Sequence, residues 1–163
     1  MFFDLEGDPF VGEHGLEYLF GYLLRDAGGA LVCEGEWALT RADEKRAFER
    51  FVDFVMARWA QFPGLHIYHY APYEPAALKR LMGRYAMREE EIDRMLRARL
   101  FVDLYQIVRN GLRASVEGYS IKRLEPFYAF TRGTPLAEVN SALTNLQANL
   151  EVSDAPAITD ETK

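Results

Sequence analysis

The sequence holds a single cysteine, Cys33, in 163 residues. That excludes an internal disulfide framework and fits a reducing, cytoplasmic setting. Cys33 falls in the strand-like run 30–34 and is expected to be a packing residue. Long apolar runs are missing too. None approaches the roughly 18 to 20 residues that span a bilayer, so no membrane association is expected. The opening residues Met1-Phe2-Phe3-Asp4-Leu5-Glu6 lack the basic region and apolar stretch of a signal peptide. Positive charge is not in excess: 19 Lys and Arg stand against 25 Asp and Glu, for a net charge of −6. This argues against a protein that grips nucleic acid by gross charge. It leaves room for a protein whose acids carry a divalent cation. Repeats and low-complexity segments are also lacking.

Hydrophobic residues make up 49% and charged residues 27% of the chain, the composition of one soluble globular domain with a proper core. Residues 2–5, 16–24 and 31–37 read as strands, with a turn at Asp26-Ala27-Gly28-Gly29, and together as an antiparallel meander. The period then changes. Thr40 is an expected N-cap with Asp43 and Glu44 behind it, and Phe48, Phe51, Val52, Val55, Met56 and Trp59 make one helical face that stops at Pro63-Gly64. A fourth strand is expected over 65–70, a helix opening between Pro72 and Pro75, a charged helix over 89–96 and a fifth strand over 100–104. The order β-β-β-α-β-α-α-β predicts an α/β fold. Its sheet is mixed and five-stranded, three strands antiparallel and two parallel, flanked by helices. Leu136, Val139, Leu143, Leu146 and Leu150 mark a helix in the tail, and Thr159-Asp160-Glu161-Thr162 the start of another. The basic residues Lys79, Arg80, Arg84, Arg88, Arg94, Arg97 and Arg99 read as a solvated helix face, with a phosphate-tracking surface as the alternative.

Three places carry acids with chemical potential. Asp4 and Glu6 sit at i and i+2 of a strand and so share a face, about 6 to 7 Å apart. Two like charges there repel unless a cation sits between them, and hard oxygen donors suit Mg²⁺ or Mn²⁺. Glu74, just past the fourth strand in His69-Tyr70-Ala71-Pro72-Tyr73-Glu74, is either an ordinary helix-start acid or a third carboxylate for that group. His69 reads first as a buried, hydrogen-bonded histidine, and Tyr70 and Tyr73 as packing or as platforms for an end base, a role open to Phe10 as well. Asp103, at the end of the fifth strand, is a cap for the helix that follows or a further site acid. Divalent ions held among such acids would bind a scissile phosphate, one activating water and the other stabilising the leaving oxygen.

Phe3-Asp4-Leu5-Glu6 resembles the first motif of the DEDD 3′–5′ exonuclease superfamily, and His69-Tyr70-Ala71-Pro72-Tyr73-Glu74 resembles its second, commonly His-Asn-x-x-Phe-Asp. Phe101-Val102-Asp103-Leu104 is similar to the strand after it. The segments 4–10 and 119–125 look most like the YprB-like ribonuclease H-like domain of RecB-like putative nucleases, some of them joined to helicase modules. The resemblance covers residues 2–128. It implies a ribonuclease H-like fold and hydrolysis of DNA or RNA from an end. It also implies two divalent ions, Mg²⁺ or Mn²⁺, on Asp4, Glu6 and Glu74, with Asp103 and His69 in support. Lys122 would approach substrate phosphate, a plain surface lysine being the alternative, and Tyr70 and Tyr73 would contact substrate. A helicase or RecB-like nuclease domain in the same full-length chain is the implied partner.

One departure matters. The family's third motif is a Tyr or His followed four or five residues later by Asp. After Asp103 the only aspartates are Asp154 and Asp160. The residues at those offsets before them are Leu150, Asn149, Pro156 and Ala155. The expectation is therefore a single domain over 1–163 that is part of a longer chain, with a helical tail over 131–163 cut before the third motif. A non-catalytic module that binds nucleic acid or a partner nuclease or helicase is the alternative.

Overall fold

The computed structural model describes residues 1–26 and 28–152. Asp154, Asp160 and the helix start expected at 159–162 lie outside the described residues. Five strands form one sheet: β1 (Phe2–Asp8), β2 (Leu16–Arg25), β3 (Leu31–Trp37), β4 (Ile67–His69) and β5 (Phe101–Asp103). Their order is β3-β2-β1-β4-β5. The first three pair antiparallel, while β4 lies parallel to β1 and β5 parallel to β4. This is the expected mixed sheet.

Strand alternation sets the two faces. Along β1, Phe3 and Leu5 are buried while Phe2, Asp4 and Glu6 are exposed, as a period of two requires. Three helices cover the Phe3 face: α1 (Arg41–Gln61), α2 (Tyr73–Tyr85) and α3 (Glu89–Arg97). Thr40 caps α1 as expected, its hydroxyl accepting from Asp43 N at 3.2 Å. The α1 stripe of Ala47, Phe48, Phe51, Val52 and Val55 joins Phe3, Leu5 and Phe20, together with Leu78 and Leu81 of α2 and Ile92 and Met95 of α3. The Phe3 and Phe51 rings stack at 4.0 Å. The other face carries α4 (Leu104–Gly111), α5 (Ile121–Leu124), a 3₁₀ turn (Glu125–Tyr128) and α6 (Leu136–Glu151). Here Leu16 and Tyr18 pack on Leu146 and Leu150 of α6, flanked by Leu19, Trp37 and Leu143.

Tyr18 and Phe20 are two residues apart yet belong to these two opposite clusters. The register explains it. Glu6 pairs with Leu19 but Gly7 pairs with Glu17, so Tyr18 is the extra residue of a β-bulge. A bulge inverts the side-chain phase of everything before it on the strand. It turns Glu17 inward, towards α2.

Several expectations need correction. β4 is shorter than residues 65–70, because Leu65 is held in a turn (its N–H donates to Phe62 O at 2.9 Å) and Ala71 takes a positive φ of 74°. Cys33 is exposed; β3 is the sheet edge, and Cys33 lines an open hollow there, not a core. Only the later half of the α6 stripe is buried, and Val139 is exposed. The basic residues of α2 and α3 are mostly solvated, as expected: Lys79, Arg80, Arg94, Arg97 and Arg99 are exposed. Arg84 and Arg88 depart from this, being partly covered and paired with Glu44 and Asp53. Among the described residues no helix is long and apolar enough to cross a membrane.

Candidate metal and nucleic-acid site

The site lies beyond the carboxyl end of β4, beside the middle of β1, which pairs with β4 only at Phe2 and Tyr68. β1 projects Asp4 and Glu6 from one face, as the i, i+2 spacing requires. β4 ends at His69, and the chain turns through Ala71 before α2 begins. That turn brings Glu74, in the first turn of α2, to the same place. A cleft of about 700 Å³ contains Asp4, Glu6 and Glu74 in its wall.

Two side chains hold the turn. Asp103 Oδ1 accepts from Ala71 N at 3.0 Å and from Tyr105 N at 2.9 Å. Asp103 is therefore the cap of α4, one of its two sequence readings, and it also holds the turn before α2. His69 Nδ1 donates to Ala71 O at 2.6 Å and lies 3.4 Å from Glu74 Oε2. Both side chains are almost fully buried. Glu74 Oε2 has no hydrogen-bond partner. A buried carboxylate oxygen left this way costs free energy unless something positive reaches it.

Electrostatics point the same way. Asp4 is open to water on one side and hemmed by protein on the other. Burial, together with the charges of Glu6 and Glu74, pushes its carboxyl up to about 6. Burial also raises Glu6, while Lys122 pulls it down and Glu74 pushes it up. Lys122, on α5, thus stands close enough to Glu6 for its charge to be felt. Burial works against the His69 cation, but Glu74 and the Ala71 carbonyl outweigh it and hold the imidazole above its ordinary value.

The other expected site residues are placed as follows. Tyr70 packs edge-on against Tyr105 at 5.6 Å and donates its hydroxyl to Tyr119 O. Tyr73 lines the cleft but donates its hydroxyl to Glu17 Oε2 at 2.8 Å. Phe10 is exposed. An apolar hollow of about 360 Å³ adjoins Asp4 on the side away from Glu6, walled by Phe2, Tyr22, Tyr68 and Tyr70.

The sequence reading missed a buried polar network behind the site. Glu44 is wholly buried and accepts from Arg84 at 2.8 and 3.0 Å, from Arg41 at 3.1 Å, from Glu17 N at 2.6 Å and from Tyr85 Oη. Glu17 accepts from Arg80 at 2.7 Å as well as from Tyr73. The Glu17–Tyr73 contact crosses β1 at Gly7, where a Cβ would lie 2.2 Å from Glu17 Oε2 and 2.7 Å from the Tyr73 hydroxyl. Only glycine leaves room for this strap, which ties the first turn of α2, and with it Glu74, to β2 across the strand bearing Glu6. Two signals were available in the sequence. Glu17 is an acid inside an apolar strand, and Glu44 precedes Ala47, Phe48 and Phe51 at i+3, i+4 and i+7, in the buried stripe of α1.

The donor set fits a divalent cation in kind: three hard carboxylates that repel one another, one with an unpartnered buried oxygen. Among the described residues, however, no three His, Cys, Asp or Glu side chains stand in a ready-made cation cage.

Comparison with known proteins agrees with this architecture. No curated protein and no solved structure matches the chain. A family model described as RNase_H superfamily matches residues 1–144. That span runs from the first strand into α6 and includes all five strands and every acid of the site, so the chain belongs to the RNase H superfamily.

Proposed function

We propose that the chain is a metal-dependent nuclease domain of the 3′–5′ exonuclease type, hydrolysing phosphodiester bonds at a DNA or RNA end. The observation that carries this reading is the convergence of Asp4, Glu6 and Glu74 on one cleft, with Asp4 held up to about 6 by its surroundings. The RNase H superfamily is a family of nuclease folds. The exonuclease type, its polarity and the YprB-like assignment rest on the motif resemblance of residues 3–6 and 69–74.

In this reading Asp4, Glu6 and Glu74 hold Mg²⁺ or Mn²⁺, two ions in the full arrangement. Bound there, the metal supplies Lewis-acid polarisation of the phosphate and a water activated for attack. His69 and Asp103 fix the turn that aims Glu74. Lys122 offers a positive charge beside Glu6. Tyr70 and Tyr73 contribute aromatic surface to the hollow and the cleft. A helicase or RecB-like nuclease domain is the partner class that the motif resemblance implies.

The test is cleavage of 5′-labelled single-stranded DNA and RNA with Mn²⁺ and with chelator, using Asp4→Asn as the contaminant control. Metal-dependent shortening from the 3′ end that disappears in Asp4→Asn supports the reading. A second reading, a non-catalytic module that binds nucleic acid or a partner enzyme, is favoured by one observation: the three acids do not form a ready-made cage. Strand binding with no cleavage in any divalent metal would favour it.

A further inference from the structure

The cleft that holds the three acids has one basic wall. Arg80, on α2, is the only lysine or arginine among the described residues lining it. Its guanidinium donates to Glu17 Oε1 at 2.7 Å and lies over the Tyr73 ring at 5.4 Å. Glu17 is itself buried and held on its other oxygen by the Tyr73 hydroxyl, while the Arg80 side chain stays about half exposed, at 49%. The contrast with Arg84, one turn on, is informative. Arg84 donates twice to the buried Glu44 and again to the backbone at His14, and is largely covered. Arg80 is held to Glu17 through one terminal nitrogen, leaving other donors accessible in the wall of the cleft that also holds Glu74 and Glu6. A guanidinium has five donors in a fixed fork. With one terminal nitrogen on a carboxylate and its plane on an aromatic ring, the remaining donors are preorganised for a second anion.

We propose that Arg80 takes a backbone phosphate of a nucleic-acid strand lying in the acid-lined cleft. This rests on the nuclease reading and adds to it the residue that fixes the register of the strand. In a chain of net charge −6, a phosphate entering this cleft meets acids on most sides. A single oriented arginine therefore decides where along the strand the phosphate settles. Glu17, Tyr73 and Gly7 then have a common purpose: they hold Arg80 and Glu74 at fixed offsets from Glu6.

The experiment uses the 163-residue chain and a short fluorescein-labelled single strand. Binding is followed by anisotropy across a potassium chloride series at a fixed low Ca²⁺ concentration. Arg80→Gln is expected to weaken binding about tenfold or more. It is also expected to flatten the slope of log K against log salt by about 0.7, the value of one lost phosphate contact on a single strand. Arg80→Lys should keep the slope and lose part of the affinity, because an ammonium keeps the charge but lacks the planar fork that presents separate donors to Glu17 and a phosphate. Arg97→Gln, at a surface pair with Asp93 that does not line the cleft, should change neither. Phenylglyoxal footprinting of the unmutated chain needs no variant to fold: the strand should shield Arg80 and leave Arg97 reactive. An unchanged slope in Arg80→Gln, or an unshielded Arg80 in a protein that binds the strand, overturns the proposal alone. Absence of any salt-dependent binding by the unmutated chain overturns the nucleic-acid reading, and this proposal with it.

Discussion

Glu74 Oε2 lies 3.4 Å from His69 Nδ1, both side chains nearly sealed from water, yet the imidazole proton goes to Ala71 O at 2.6 Å and the carboxylate oxygen is left without a hydrogen bond. His69 thus fixes the turn while Glu74 stays available. Removing the imidazole should let the turn relax and Glu74 drift. His69→Ala is expected to weaken Mn²⁺ affinity ten- to a hundredfold, the cost of losing a group that orients a metal ligand. Calorimetric titration reads the affinity, and circular dichroism checks that the fold is kept. Unaltered affinity would place the His69 role in packing alone.

Asp4 gives a stability test with a definite sign. Its folded pKa of about 6 lies above the ordinary aspartate value of 3.8, so the folded state holds the proton more tightly. The contribution is full below the unfolded value and is lost as pH rises through about 6. At neutral pH without metal, Asp4 therefore opposes folding. Asp4→Asn should stabilise the metal-free protein by about 1 kcal/mol once solvent access at the cleft mouth is discounted, or about 2 to 4 °C in Tm. A thermal melt in chelator measures it. A lower Tm would show that Asp4 is stabilised by its surroundings instead.

The Glu44 network makes the opposite demand. Glu44 is wholly buried and meets Arg84 and Arg41. Glu44→Gln leaves covered arginine charge with no counter-ion. The expected cost is about 3 to 5 kcal/mol, read from the midpoint of a urea transition. A change under about 1 kcal/mol would mean that water reaches the arginines.

Ala71 has a positive φ of 74°, a region that a side chain with a Cβ occupies at a cost of about 1 to 2 kcal/mol. Ala71→Gly relieves that cost and gives part of it back as chain entropy. Stability should rise by roughly 0.5 to 1 kcal/mol in the same urea experiment. A loss would show that the Ala71 methyl packs usefully.

Much of this site was legible in the sequence because local rules carried it. Period-two alternation put Asp4 and Glu6 on one face. An acid at a helix start after a parallel strand put Glu74 beside them. An Asp closing the strand before Leu104-Tyr105-Gln106 announced a cap, and Asp103 is one. What stayed hidden depends on distant partners or on backbone irregularity. Glu44 and Arg84 are far apart in sequence and meet only once α1 and α2 cover the same sheet face. The bulge at Tyr18 leaves no mark in the apolar pattern of 16–24, yet it decides that Glu17 faces α2. Arg80 looked like one basic residue among several on a helix. Its distinction comes from Glu17 and Tyr73, which no spacing rule connects to it. Cys33 was misread because nothing in its strand identifies that strand as the sheet edge.

The central claim is that Asp4, Glu6 and Glu74, from a strand and a helix far apart in sequence, act as one divalent-cation site. Titrating Mn²⁺ into the protein at pH about 7.5, above the Asp4 value, tests it most directly. The same titration is run on Asp4→Asn, Glu6→Gln and Glu74→Gln. The account expects saturable binding to the unmutated chain, weakened tenfold or more in each variant and fading as pH falls through about 6. No saturable binding, or an isotherm that Asp4→Asn leaves unchanged, would contradict it.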